Sequence, residues 1–89
     1  MSLFKRLFGG ASEEGPAETY NGYLITPKPI REGSDYRVAA RIEKEVDGTM
    51  RTHNLTRADT VSGKDTADEL SIMKAKQLID QIGDHLFDD

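Results

Sequence analysis

The chain has 89 residues, a formal net charge of −4 at pH 7 and no cysteine. A domain of this length buries only about 60% of its unfolded surface, so we expect a thin core with little room for a substrate cavity. The acidic balance argues against a strong nucleic-acid footprint, because phosphate binding needs clustered lysine and arginine. The lack of cysteine excludes disulfides and thiolate metal sites and fits a reducing compartment.

No apolar run in the sequence approaches the roughly 20 residues of a membrane-spanning helix. The N-terminal apolar cluster is too short and wrongly flanked for a secretory signal. We therefore predict a cytoplasmic protein, with peripheral membrane contact as the alternative.

Residues 1–8 place four large apolar side chains on one side of a helix, with Lys5 and Arg6 on the other. These four are Leu3, Phe4, Leu7 and Phe8. Such a segment can anchor the protein to a bilayer surface or a partner's groove, or fold back on the domain's own core. It can also remain frayed, because helices below about 12 residues are marginal in water. Residues 9–19 are rich in Gly, Pro and Glu, so we predict a flexible tail and linker over residues 1–19 and a single domain over residues 20–89.

Two alternating runs flank the dipeptide Asp47-Gly48, which is the strongest short-range signal of a β-hairpin. The predicted pairs are Val46 with Thr49, Ile42 with His53, Ala40 with Leu55, Val38 with Arg57 and Tyr36 with Asp59. The apolar face then carries Tyr36, Val38, Ala40, Ile42 and Leu55. The polar face carries Arg37, Ala39, Arg41, Glu43, Thr52, Asn54 and Thr56. One face of this sheet should be covered and the other solvated.

Residues 20–30 predict a first strand that pairs with the strand beginning at Tyr36, although its register stays open. Pro27 and Pro29 cannot donate ladder hydrogen bonds, so this strand lies at an edge or ends there. The outer edge of the third strand is a candidate dimerisation seam, and the oligomeric state is left open.

Apolar residues recur at three- and four-residue steps near the C-terminus and predict one amphipathic helix. They are Ile72, Ala75, Leu78, Ile79, Ile82 and Leu86. Ser62 with Asp65, or Thr66 with Glu69, is the expected N-cap, and Gly83 is the expected stop. At about 1.5 Å per residue, residues 65–82 span roughly 27 Å, enough to cross the sheet. The predicted fold is α+β, with a three-stranded antiparallel meander covered on one face by a single C-terminal helix (β-β-β-α).

The sequence shows no catalytic or metal-binding constellation. His53 and His85 lack the spacing of a zinc site. The acid pairs lie in a linker, at a helix start and at a terminus, where no closed pocket is expected for acid–base chemistry. They are Glu13-Glu14, Asp68-Glu69 and Asp88-Asp89. We predict a protein that is not an enzyme and uses no cofactor.

The polar face of the sheet is the better candidate for function. Its predicted partner-binding residues are Arg37, Ala39, Arg41 and Thr56. Basic residues around small ones can bind a protein or RNA. Glu43 and Glu45 share this face, so an ordinary solvated surface is the alternative. The face carries no aromatic residue for base stacking, and the chain has one long helical pattern where a helix-turn-helix needs two, so direct DNA binding is weakly supported.

Several short segments of the chain form a distinctive set. They are residues 2–10, 20–23 (Tyr-x-Gly-Tyr), 29–33, 40–45, the Asp47-Gly48 turn, and residues 57–59, 74–80 and 83–84. Together these segments resemble the HlyU family of short transcriptional activators. The resemblance covers about residues 20–87, with the start of the chain also similar, and implies a role in gene activation. It carries over no catalytic or binding residues. We therefore predict a small regulatory protein that acts through a protein partner, with an adaptor anchored by residues 3–8 as the alternative.

Overall fold

The computed structural model of the protein describes residues 14–88. The predicted anchor, Leu3, Phe4, Leu7 and Phe8, lies outside these residues. The described chain contains β1 (Glu18–Tyr20), β2 (Tyr23–Pro27), β3 (Ile30–Glu32), β4 (Asp35–Val46) and β5 (Thr49–Ser62). The helix α1 (Lys64–Ile82) follows, and a short 3-10 helix (Gly83–Phe87) continues it. The prediction of an α+β fold with one C-terminal α-helix is confirmed for the described residues.

The central strand of the sheet is β4. It pairs along one edge with β2 and β3 and along the other edge with β5, while β1 pairs with β2. All of these pairings are antiparallel. The sheet therefore has five strands, and the prediction of three is wrong.

Two of these strands, β2 and β3, are one extended segment of chain. Ile25 pairs with Ile42 and Ile30 pairs with Arg37, so the register against β4 does not change between β2 and β3. The break falls at Lys28 and Pro29, because proline has no N–H to donate to the ladder. This segment corresponds to the predicted first strand.

The additional strand β1 comes from a hairpin that the prediction overlooked. Asn21 and Gly22 both have positive φ, 52° and 87°, and Tyr20 pairs with Tyr23 across them. Asn-Gly is the preferred dipeptide of a type I′ turn, the same signal as Asp47-Gly48. The predicted start of the first strand at residue 20 is therefore wrong. The chain reverses direction at residues 21–22, and the strand begins after that turn.

The predicted register of the β4–β5 hairpin is confirmed near the turn and wrong beyond Ala39. Val46 pairs with Thr49, Ile42 with His53 and Ala40 with Leu55. Ala39 then pairs with Thr56 but Arg37 with Thr60, so residues 57–59 bulge opposite Val38. The predicted pairs of Val38 with Arg57 and Tyr36 with Asp59 are wrong, and Tyr36 pairs with Val61. Because the bulge adds an even number of residues, each side chain keeps its predicted face.

The core lies between the sheet and α1. Its fully buried side chains include Ile25, Ile42, Val38, Pro27 and Pro29. From α1, the buried residues are Ala67, Ser71, Ala75 and Ile79, and from the 3-10 helix Leu86. Small side chains at three of the four α1 positions allow its backbone to lie close to the sheet. The Ser71 hydroxyl accepts a hydrogen bond from the Ala39 N–H at 3.2 Å.

The N-cap of α1 differs from the prediction, whereas the predicted stop at Gly83 is confirmed. The N-cap is Gly63, with φ 91° and no side-chain cap, so neither Ser62 nor Thr66 caps the helix. Gly83, with φ 55°, ends α1 and donates its N–H to the Ile79 carbonyl. Ile82 is 40% exposed, so its assignment to the buried stripe is wrong. The chain leaves the α-helix at that residue, and Leu86 of the 3-10 helix is buried.

No helix within residues 14–88 is long and apolar enough to cross a membrane.

Candidate functional site

The outer face of the sheet, opposite α1, contains all four predicted partner-binding residues. Residues that pair across antiparallel strands share a face, so the register defines this surface. Its members on β2 and β3 are Leu24, Thr26 and Ile30, on β4 Arg37, Ala39, Arg41, Glu43 and Glu45, and on β5 Met50, Thr52, Asn54, Thr56 and Thr60. The structure brings Arg37, Ala39, Arg41 and Thr56 together here, while their role in binding stays a prediction.

The guanidinium of Arg37 is held by a carboxylate at one end of the outer face. Its Nε lies 2.5 Å from Glu32 Oε2, and its Nη2 donates to Glu32 Oε1 at 3.0 Å. Its Nη1 also donates to the Arg57 carbonyl at 3.2 Å. The hydrogen bonds from Arg37 lower the pKa of the Glu32 carboxyl. Arg37 is therefore a fixed and largely neutralised cation.

Arg41 bridges two acids near the middle of β4. Its Nη1 lies 3.2 Å from Glu14 Oε2, and its Nε lies 3.2 Å from Glu43 Oε1. Burial alone would lower the pKa of Arg41, but the hydrogen bonds to Glu14 and Glu43 outweigh it and raise the pKa. The outer face is thus a surface of paired charges with little net positive field, which makes it a poor match for a phosphate backbone.

A shallow depression of about 260 Å³ lies beside Ala39 and Thr56. The residues around it are Lys28, Ile30, Ala39, Ala40, Asn54, Leu55 and Thr56. Ala39 is buried although it lies on the outer face, and Thr56 is exposed. The small side chains leave space that a protruding side chain of a partner could fill.

Two exposed apolar residues lie at the opposite end of the outer face. Leu24 is 39% exposed and Met50 is 60% exposed, and both line a second depression of about 240 Å³ beside Glu43 and Glu45. Leu24 lies within the predicted first strand, residues 20–30, and the prediction assigned it to no face. Its neighbours Tyr23 and Ile25 point into the core, and strict alternation along β2 would have placed Leu24 outside.

The described aromatic residues lie on the helix side of the molecule. Tyr20 donates its hydroxyl to Asp80 Oδ1 at 2.8 Å, and Tyr23 stacks on Phe87 with ring centroids 6.2 Å apart. Tyr36 lies on the same side, opposite Val61. The outer face therefore offers no described ring on which an RNA base could stack.

A cluster of three titratable side chains also lies on the helix side of the molecule. In this cluster, the Tyr23 hydroxyl donates a hydrogen bond to Asp84 Oδ1. Lys44 Nζ lies 3.0 Å from the same oxygen and 4.6 Å from the Tyr23 ring centroid. Burial of the Tyr23 hydroxyl is the larger cause that raises its pKa, and the hydrogen bond to Asp84 is the second. Hydrogen bonds from Tyr23 and Lys44 lower the pKa of Asp84. These groups pair with one another, so we interpret the cluster as a structural clamp.

Within residues 14–88, no group of three or more His, Asp or Glu side chains is arranged to hold a metal ion. His53 pairs with Ile42 in the sheet, and His85 lies 3.0 Å from Asp88 Oδ2 on the surface.

Comparison with known proteins gives one family match. The model of the family described as transcriptional activator HlyU matches residues 2–87, nearly the whole chain. No curated protein and no solved structure matches. The resemblance seen in the sequence is thereby confirmed. This protein belongs to the HlyU family of transcriptional activators.

Proposed function

We propose that the protein regulates transcription by binding a protein partner on the outer face of the sheet, without catalysis. Family membership supports the role in transcription. The choice of the outer face rests on its position, because α1 covers the other face of the sheet with its buried residues.

The geometry of the helix favours a protein partner over direct DNA binding. A helix-turn-helix reader presents a recognition helix beside a second helix, whereas α1 is the one α-helix in residues 14–88. Its apolar side packs on the sheet, and its exposed residues include Asp65, Glu69 and Asp80. These carboxylates would repel a phosphate backbone.

The observation that carries the proposal is the pre-formed depression beside Ala39 and Thr56. Arg37 and Arg41 flank Ala39 along β4, and their ion pairs already fix their side chains. A partner would therefore not bear the full entropy loss of ordering these two long side chains. Arginine is enriched at protein interfaces, and a hollow between two arginines can receive a side chain of the partner.

Affinity capture from native extract tests this surface with two variants. Thr56→Arg places a bulky charged side chain in the depression, and Gln77→Arg places the same side chain on the exposed side of α1. We expect the original chain and Gln77→Arg to capture the same partner in the same amount. Thr56→Arg should capture at least about tenfold less of that partner, because the new side chain blocks the centre of the interface. Equal capture by all three chains would contradict the proposed surface.

A gel-shift assay with promoter DNA tests the competing mode of action. Purified protein should give no shift at about 50 mM salt, where electrostatic binding is strongest. A shift at about 50 mM salt that weakens steeply by about 200 mM would instead indicate direct phosphate contacts.

A further inference from the structure

A groove of about 480 Å³ lies between the first turns of α1 and the chain that leads into β1. Pro16, Pro27 and Ile72 give it an apolar wall. Asp65, Asp68 and Glu69 give it an acidic rim. The groove borders the helix, so it is separate from the depression on the outer face.

One carboxylate oxygen in this groove lacks a hydrogen-bond donor within the described residues. The Asp68 side chain is only 14% exposed, and its Oδ2 lies 2.9 Å from Lys64 Nζ. Its Oδ1 is buried without a partner in residues 14–88. A buried carboxylate oxygen is costly to leave unpaired, so a donor from elsewhere is expected.

The described chain begins at this groove. Gly15 donates its N–H to the Pro27 carbonyl at 2.9 Å, and a Cβ built on Gly15 would lie 2.5 Å from Asp68 Oδ2. Gly15 therefore lies beside the groove and the Asp68 carboxylate. The preceding residue, Glu14, forms an ion pair with Arg41 on the outer face, so the chain crosses the edge of the sheet at this point.

We propose that residues 3–8 of this same chain dock in the groove. Their apolar side chains would pack on Pro16 and Ile72, the accessible part of the apolar wall, and Lys5 and Arg6 would pair with the acidic rim. Basic and apolar residues in the segment thus match acidic and apolar residues in the groove. The family match begins at residue 2, so this segment belongs to the sequence that the family shares.

Residues 9–13 connect the docking segment to the domain, so even a weak contact can be populated. Residues 9–13 extend at most about 3.3–3.6 Å each, which gives roughly 17 Å of reach, and the groove begins within two residues of Glu14. A short linker holds its segment at an effective concentration on the order of millimolar. A contact too weak to be seen between separate molecules would therefore be populated within one chain.

Paramagnetic broadening in the full-length chain tests the docking directly. The sequence has no cysteine, so Ser2→Cys accepts a single nitroxide label. Amide signals of Glu69 and Ile72 should lose most of their intensity, while those of Gly48 and Met50, at the far tip of the β4–β5 hairpin, should keep theirs. Broadening centred on Gly48 and Met50, or no localised broadening, would overturn the proposal.

Two further arms separate the alternatives. Nitroxide-labelled chain mixed with ¹⁵N-labelled chain lacking the nitroxide should give no broadening, and broadening there would assign the groove to a second copy. Vesicles of phosphatidylcholine and phosphatidylglycerol test the membrane anchor. If the labelled Ser2→Cys protein binds vesicles, and the signals of Glu69 and Ile72 are not broadened when vesicles are absent, the proposal fails and the membrane anchor is favoured.

Charge-neutralising variants test the acidic rim. The double variant Asp65→Asn, Glu69→Gln should reduce the broadening at Ile72 at least about twofold. The reason is that the docked segment would lose its ion pairs with the rim, and surface ion pairs contribute modestly to binding. Glu45→Gln, an exposed acid on β4 away from the groove, is the control and should leave the broadening unchanged. The same broadening in all three proteins would contradict pairing with Lys5 and Arg6.

Discussion

Two tyrosine hydroxyls of the first hairpin hold the C-terminal end of the chain. Tyr20 bonds to Asp80 and Tyr23 bonds to Asp84, and the two acids lie four residues apart. In both pairs a lysine stands over the ring, Lys76 at 5.1 Å and Lys44 at 4.6 Å from the centroids. Each contact joins residues about 60 positions apart in sequence. They link the start of the domain to its end.

Removing the Tyr23 hydroxyl should weaken this clamp. Tyr23→Phe keeps the ring, its stacking on Phe87 and its burial, but it loses the hydrogen bond to Asp84. We expect the free energy of unfolding at pH 7 to fall by about 1 kcal/mol, the usual net value of one hydrogen bond. Urea denaturation measures this change.

Tyr36→Phe is the matched control, because it removes a tyrosine hydroxyl from the sheet and keeps the ring contact with Arg31, whose Cζ lies 5.9 Å from the ring centroid. This change should alter stability little. A loss for Tyr36→Phe as large as that for Tyr23→Phe would contradict the clamp.

Acid should weaken the same contact through Asp84. Tyr23 and Lys44 lower the pKa of Asp84 below its ordinary value of 3.8. The ionised Asp84 therefore stabilises the fold fully above pH 3.8, and this contribution disappears as the pH falls through the lower folded-state pKa. Asp84→Asn should be less stable than the original chain at neutral pH, and the difference should shrink below pH 3.8. Urea titrations across this range would contradict the assignment if the difference stayed constant.

At the scale of single elements, the turns decide how much of the sheet can be predicted. Asp47 and Gly48 require positive φ, and that requirement fixes the register from Val46 to Ala40. The same reasoning applied to Asn21 and Gly22 would have identified β1. The bulge at residues 57–59 could not be found in this way, because an even insertion leaves the alternation of apolar and polar side chains intact.

The contact of α1 with the sheet depends on one buried polar residue. Ser71 is fully buried, and its hydroxyl accepts the Ala39 N–H. Ser71→Ala removes that acceptor in a site closed to water, so stability should fall by about 1–3 kcal/mol. Ser62→Ala makes the same change at an exposed position and should have little effect. Equal thermal unfolding of the two variants would contradict a role for this contact in holding α1.

At the scale of the whole molecule, the two faces of the sheet differ in exposure. One face is closed by α1 and the 3-10 helix, and the other exposes small and polar residues among paired charges. The hairpin pattern alone predicted this division and placed Arg37, Ala39, Arg41 and Thr56 on the open face. It could not predict that Glu14 pairs with Arg41, because those residues are 27 positions apart in sequence. The pair of Glu32 with Arg37 spans only five positions across the turn between β3 and β4, and it was overlooked because the turn was not analysed in register.

The most direct measurement of the central claim is transcript profiling in cells that lack the endogenous protein and express one variant each. If transcription depends on a partner at the outer face, Gln77→Arg should restore the transcript levels, while Thr56→Arg should not, at equal protein abundance. Full restoration by Thr56→Arg would contradict the claim that the outer face of the sheet is the working surface.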